Sequence, residues 1–202
     1  MANSNTYKTS IENAKLYRKY DDDVSSDENW IWYKNQLLDV CNSFNRKINV
    51  LDIGCGTGRF FSALENVDYL YGLDFSEPMI NEAHNPHFSD LVKKNIKDIE
   101  FIISDYTKLD VYSKINKKID FIFSIGLMNE YNEDEISPEF FNTVYNLLSD
   151  DGVIWFSIMD SIDNVKNLVE DSVMYNKDVM IDYYTKTDEK ADEKTILKVR
   201  KQ

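Results

Sequence analysis

Basic residues are the first shortage of this chain. Lys and Arg number 23 against 36 Asp and Glu, leaving a formal net charge of −13 over 202 residues. Nucleic-acid affinity leans on cations that displace counterions from phosphates, so a phosphate-rich partner is disfavoured. A neutral or cationic small substrate suits the charge better. Cysteine is scarcer still: Cys41 and Cys55 are the only two, and they form neither a metal-ligand spacing nor a disulfide framework. No segment offers the roughly 20 consecutive apolar residues of a membrane helix. The opening MANSNTYKTS lacks the apolar centre of a secretory signal. A soluble, cytoplasmic, single-domain protein is the expectation. With 43% hydrophobic and 13% aromatic residues, the chain can bury a sizeable core. Glycine is rare too, six in all, yet three of the six stand at 54, 56 and 58.

What is present is an alternation of strand-like and helix-like segments. Two short acidic runs, DDDVSSDE (21–28) and TDEKADEK (187–194), read as solvated loops. From Glu28 to about Asn45, apolar residues at Trp30, Tyr33, Leu37, Cys41 and Phe44 keep helical spacing. INVLDI (48–53), YLYGLDF (69–75), IEFIIS (99–104), IDFIFSI (119–125) and VIWFSIM (153–159) read as strands. RFFSALEN (59–66), SEPMINEAHN (76–85), a segment near 88–95 and SPEFFNTVYNLL (137–148) read as helices. Ser76 is placed to cap its helix, with Pro78 in the first turn where a missing N–H does little harm. DDG (150–152) reads as a turn into the fifth strand. The strands are almost wholly apolar, so both faces should be covered, which points to an α/β fold with a parallel sheet between helical layers. VMIDYYTK (179–186) and TILKVRK (195–201) suggest a C-terminal antiparallel hairpin. His84 and His87 flank Pro86 in what reads as a surface loop.

The clustered glycines close the strand NVLDI. A strand, a glycine-rich turn and a following helix make a ligand cradle, because backbone can approach the ligand and free N–H groups favour polar or anionic atoms. A nicotinamide dinucleotide loop wants G-x-G-x-x-G, and Arg59 occupies the place of its last glycine. A phosphate-binding P-loop fails as well, since no G-K-[ST] follows.

The spacing D-x-G-x-G-x-G, from Asp52 through Gly54, Cys55, Gly56 and Gly58, resembles motif I of the class I S-adenosylmethionine-dependent methyltransferases. YGLDFSEPMI (71–80) resembles the second motif of that family, IISDYTKL (102–109) the third, FIFSIGLMNEY (121–131) the fourth, and LLSDDGVIWFS (147–157) the unit around the fifth strand. The resemblance runs in order from about residue 48 to 159. It implies a Rossmann-like three-layer sandwich whose seven-stranded sheet is mostly parallel, with S-adenosylmethionine as cofactor. It also implies roles. Asp74 would bind both ribose hydroxyls. Phe75 and Met79 would flank the adenine, Asp105 would meet its exocyclic amine, and Tyr106 would lie beside the ring. Asp52 would orient the glycine loop around the amino-acid end, and Ser124 would close the fourth strand. Residues 1–46 would form a helical lid or cap segment on a methyltransferase domain of 47–202, with Tyr17 and Tyr20 on one helix face above the cofactor.

The acceptor is less legible. No Asn- or Asp-Pro-Pro-aromatic motif follows the fourth strand, as it does in nucleic-acid amino-methyltransferases. Neither cysteine is placed as a nucleophile, and Ser124 stands where metal-dependent relatives carry an acid, so no metal is expected. Glu130, Asn129 and Tyr131 are the candidate catalytic residues at that strand end, together with Tyr17 and Tyr20. With no histidine beside Asn129, an amine acceptor is slightly favoured over a hydroxyl, which would benefit from a general base. The expected partner is a small-molecule acceptor, with neither nucleic acid nor membrane involved; a homodimer or a partner subunit is left open. Cyclisation or aminopropyl-type transfer on the same cofactor, or a non-catalytic cofactor-binding subunit, are the alternatives. Arg59 in the glycine loop yields the first prediction: adenosylhomocysteine binds and NAD does not bind comparably. Titration calorimetry giving a tighter constant for NAD reverses it.

Overall fold

The computed structural model describes residues 10–24, 26–126, 137–158, 162–172, 179–187 and 193–201. Helices start where the sequence supplies an oxygen to the orphaned N–H groups of the first turn. The helix α1 (Ile11–Asp23) is capped by the Ser10 hydroxyl, which accepts from Asn13 N–H. The Asp27 carboxylate accepts from Asn29 and Trp30 to start α2 (Glu28–Asn42). Ser76 starts α3 (Glu77–Ala83), as the sequence predicts, and Ser137 starts α5 (Pro138–Leu147). The exceptions are α4 (Ser89–Asn95), entered through Phe88 at a left-handed φ of 54° without a side-chain cap, and α6 (Ile162–Glu170), for which no cap is described. None of the described helices is long and apolar enough to cross a membrane.

The strands are β1 (Ile48–Ile53), β2 (Val67–Asp74), β3 (Ile96–Ile103), β4 (Ile119–Ile125), β5 (Leu148–Ile158), β6 (Val179–Thr187) and β7 (Glu193–Lys201). They form one seven-stranded sheet in the order β3-β2-β1-β4-β5-β7-β6. Parallel pairing gives way to antiparallel pairing at β7, so the expected mixed sheet and terminal hairpin are both present.

The chain divides into two compact units. The first comprises Met1–Ile48 and Gly54–Asp105. Here β2 and β3 run parallel from Val67↔Ile96 to Asp74↔Ile103, with α1 to α4 around them. In α2 the buried stripe is Trp30, Tyr33, Leu37, Val40 and Cys41, a three-to-four residue repeat. The second unit comprises Asn49–Ile53 and Tyr106–Gln202. Its core is aromatic: Phe121, Phe123, Phe140, Phe141, Trp155 and Phe156 are all buried. Each such ring removed from water stabilises the fold by about 1.5–3 kcal/mol. The Asp120 carboxylate ties strand ends in this unit, accepting from Asn49 N–H at 2.7 Å and from the Ser149 hydroxyl at 2.7 Å.

Four expectations need correction. RFFSALEN is not an α-helix; only Phe61–Ala63 coil, as a 3-10 turn. Leu64 is already extended and Asn66 takes a φ of 57°, its carbonyl receiving Ile48 N–H, so the chain must turn back within eight residues of Gly58 to begin β2. DDG is not a separate turn but part of β5. Pairing with β4 jumps from Ile119↔Leu148 to Phe121↔Val153, and the acidic residues bulge between these two contacts. The strand β3 is not covered on both faces. It is the sheet's edge, and Ile99 and Ile103 are exposed. The run 21–28 is not a solvated loop, because its first three residues finish α1 and Asp21 is fully buried.

Gly58 generates the second prediction. It has a φ of 74°, and a Cβ built there would lie 2.8 Å from the Phe61 ring. Left-handed backbone is costly for any L side chain, of order 1–3 kcal/mol. Gly58→Ala should therefore lose at least about 1 kcal/mol in urea denaturation. A loss below about 0.5 kcal/mol would show that the ring and backbone relax freely.

Candidate functional site

The site is built in the first unit, on the turn that leaves Gly54 and the carboxyl end of β2. Gly54, Gly56 and Gly58 have φ values of 77°, 53° and 74°. All three are left-handed, which answers why a glycine-poor chain concentrates them here. The N–H groups of Gly54 and Cys55 both donate to the Leu73 carbonyl, at 2.7 and 3.0 Å, and Gly58 N–H donates back to the Cys55 carbonyl. Because no α-helix follows, the loop has no helix N-terminus behind it; its order comes from these turn bonds and from two acids.

Asp74 is the first acid. It ends β2, is buried, and accepts from Gly56 N–H at 2.9 Å through Oδ2 and from Ser76 N–H at 2.8 Å through Oδ1. Burial pushes its carboxyl above the ordinary aspartate value, against the opposing pull of backbone N–H groups of Ser76, Gly56 and Phe75. The two oxygens together offer about four lone-pair sites, so capacity for a further donor remains. Asp21 is the second acid, and nothing in the sequence reading singled it out. Its Oδ2 accepts the Thr57 hydroxyl and its Oδ1 accepts Arg59 Nε–H. The signal that could have found it is the stripe Ala14, Arg18, Asp21, which places an acid on the inward face of α1.

The remaining predicted residues fall as follows. Met79 lies on α3, half-buried, with its Cε 3.8 Å from where a Gly56 Cβ would stand. Phe75 and Asp105 are half-buried at the ends of β2 and β3. The Cys55 thiol is buried, with its Sγ 4.0 Å from the Gly56 carbonyl oxygen. Tyr17 and Tyr20 are about half exposed, at 49% and 52%, on one face of α1 that borders a shallow cleft of about 480 Å³ with Asn13 and Leu16. The Arg59 guanidinium carbon lies 5.4 Å from the Tyr20 ring centre. In the second unit, Asp52 is buried at the end of β1, and Tyr106 is buried against Phe140 while its carbonyl receives the Tyr112 hydroxyl. Ser124 is fully buried in β4, and its hydroxyl has no hydrogen-bond partner among the described residues. Glu130, Asn129 and Tyr131 lie outside the described residues. The histidines do not share a surface loop: His84 is exposed beside Phe101, whereas His87 is buried with Nδ1 on the Asp22 carboxylate.

Residues 44–199 match the family described as a methyltransferase domain. The chain belongs to the class I S-adenosylmethionine-dependent methyltransferase family. It is 31% identical over 137 residues to the demethylmenaquinone methyltransferase of Leptospira interrogans, a match covering 65% of this chain and 52% of that protein. The chain thus spans about half the length of the curated relatives it matches. Among solved structures it shares the fold of the plantazolicin methyltransferase BamL, solved with adenosylhomocysteine, at a TM-score of 0.66 and 19% identity, covering 94% of this chain and 91% of that one. The N-methyltransferase NodS of Bradyrhizobium japonicum, also solved with adenosylhomocysteine, gives 0.65 at 15% identity, covering 88% and 90%.

The residues present fit the family's cofactor. Among the described residues a Cβ on Gly56 would meet only the end of the Met79 side chain, which leaves space beside the loop where Gly56 N–H meets the Asp74 carboxylate. That carboxylate, with lone pairs to spare, suits a vicinal diol. The third prediction follows. Asp74→Asn should weaken adenosylhomocysteine binding about ten- to a hundredfold, the worth of hydrogen bonds to a charged group. The ionised form is the acceptor and its titration lies above the ordinary value, so wild-type affinity should fall on acidification while the pH is still above that of an ordinary aspartate. Asp74→Asn should lack this fall. Calorimetry across pH giving the same profile for both proteins contradicts the assignment.

Proposed function

We propose that this chain transfers a methyl group from S-adenosylmethionine to a small-molecule acceptor. The observation that carries the reading is Asp74, a buried carboxylate fixed by Gly56 and Ser76 N–H groups against a loop of three left-handed glycines. In this reading Asp74 holds the ribose hydroxyls, Met79 and Phe75 border the adenine, and the loop from Gly54 to Gly58 lies along the amino-acid end. Asp52, Asp105, Tyr106 and Ser124 complete the set that the motifs assign. When bound, S-adenosylmethionine supplies an electrophilic methyl on a sulfonium whose leaving group is neutral, so positioning can supply much of the catalysis. In the same reading residues 1–46 are a lid or cap segment on a methyltransferase domain of 47–202, tied to its glycine loop through Asp21.

The acceptor is a small amine in preference to a hydroxyl compound. A hydroxyl gains from a general base, whereas an amine need only be unprotonated. Neither histidine supports a base role: the His87 ring is buried against Trp30 and Phe88, and His84 packs its ring 4.7 Å from that of Phe101. Tyr17 and Tyr20 on α1 are the candidate acceptor-side residues, and the motif after β4 assigns the same role to Glu130, Asn129 and Tyr131. The net charge of −13 favours a neutral or cationic acceptor over a nucleic acid, and a cytoplasmic location belongs to the same reading. The test is product analysis. Incubation with S-adenosylmethionine and a panel of amines and phenols should yield adenosylhomocysteine, with amines turned over faster. Methylthioadenosine as the product would establish a different transfer, and faster turnover of phenols would reverse the acceptor preference.

A further inference from the structure

The helix α1 is poorly provided to hold itself in place. Of its residues only Ala14 and Asp21 are buried, while Ile11, Leu16, Tyr17 and Tyr20 are exposed. Apolar burial therefore contributes little to its docking. Its C-terminal turn is also electrostatically wrong. Asp21, Asp22 and Asp23 follow one another there with no base in the last turn, where the partial negative charge of the helix end disfavours acids. Partners from outside the helix correct this. Thr57 and Arg59 donate to Asp21, and His87 pairs with Asp22. Further back, Arg18 Nε–H donates to the Asn85 carbonyl at 3.3 Å and its guanidinium reaches Asp22 at 2.8 Å.

Two of these partners belong to the glycine loop itself. Thr57 stands between Gly56 and Gly58, the two glycines whose left-handed backbone shapes the turn. Its hydroxyl is spent on Asp21, not on the loop. The Asp21 carboxylate is fully buried, and a buried carboxylate deprived of its cation and hydrogen-bond donors is strongly unfavourable. Helix and loop therefore hold one another: α1 needs the loop's donors to bury Asp21, and the loop's central residues are fixed by an acid that α1 carries.

We propose that Asp21 is a positioning residue that latches the N-terminal helix to the glycine loop, so that docking of α1 and retention of the cofactor are coupled. The proposal rests on the S-adenosylmethionine reading above. Asp21 itself touches no reacting atom in this scheme; it acts through Thr57 and Arg59. Coupling of this kind is reciprocal: a cofactor that orders the loop must also strengthen the docking of α1, by the same factor.

The test follows hydrogen exchange of the α1 amides alongside adenosylhomocysteine binding, in the whole chain. In the wild type, adenosylhomocysteine should slow exchange across residues 11–23. Asp21→Asn should release α1 in the free protein and raise the dissociation constant about ten- to a hundredfold, chiefly through faster dissociation. Thr57→Val removes only the hydroxyl and guards against a folding failure of the first variant; it should shift exchange and affinity in the same directions. Thr57→Ser, which keeps the hydroxyl, should restore both. Combining Asp21→Asn with Thr57→Val should cost no more than the larger single change, because the contact that Thr57→Val breaks is one of those that Asp21→Asn already breaks. A wild type that binds adenosylhomocysteine while Asp21→Asn and Thr57→Val bind it within twofold overturns the latch and leaves the cofactor reading intact. A wild type that does not bind adenosylhomocysteine overturns the cofactor reading.

Discussion

The contact from Gly56 N–H to the Asp74 carboxylate is the constraint around which the first unit is arranged. It joins the middle of the glycine turn to the end of β2. The other oxygen of the same carboxylate takes Ser76 N–H, and Ser76 in turn caps α3 with its hydroxyl. One side chain therefore sets the loop, the strand end and the entry to a helix. The left-handed glycines make this geometry possible: any larger residue at those φ values would add a cost of order 1–3 kcal/mol each.

A second consequence is how the N-terminal helix is held. The helices α2 and α5 dock through apolar stripes, of Trp30, Tyr33 and Leu37 and of Phe140, Phe141 and Val144. By contrast, α1 docks through a carboxylate and the small Ala14 and leaves its large apolar residues outward. Polar docking is weak in net terms, because each bond replaces one to water, yet losing a partner is costly. A helix held this way can leave and return more readily than one anchored by buried rings, and its exposed tyrosines remain available to a ligand.

The legible part of the fold was the part governed by local pattern. The residues 48–53 and 119–125 are apolar runs buried on both faces, and their strand bounds in the structure match the sequence reading. Ser76 and Ser137 mark helix starts by capping chemistry that acts within three residues. The errors came where tertiary demands overrode that pattern. RFFSALEN has helical composition, but the short return to β2 leaves room for one 3-10 turn. The aspartates after Tyr20 look solvated in sequence because acidic runs usually are; only the distant Thr57 and Arg59 give Asp21 a reason to be buried. In sequence Arg59 stands out only as the residue that spoils a dinucleotide loop. At the site, the glycine spacing and Asp74 were legible because the motif is contiguous. A partnership between residues 36 and 38 positions apart leaves no such trace.

The two acids of the loop divide the chemistry between them. Asp21 has both oxygens committed to side chains of the protein, one of them a guanidinium, so its charge is neutralised inside the fold. Asp74 has its described bonds from backbone N–H groups, and burial raises its carboxyl rather than a cation lowering it. A carboxylate stabilised that way is under-provided, and further donors lower its free energy more than they would that of an already paired acid. Among the described residues Asp74 has no hydroxyl or cationic donor, whereas Asp21 has one of each. The same loop is therefore bound on one side by an acid whose charge is matched by a built-in guanidinium and on the other by an acid whose described partners are backbone N–H groups.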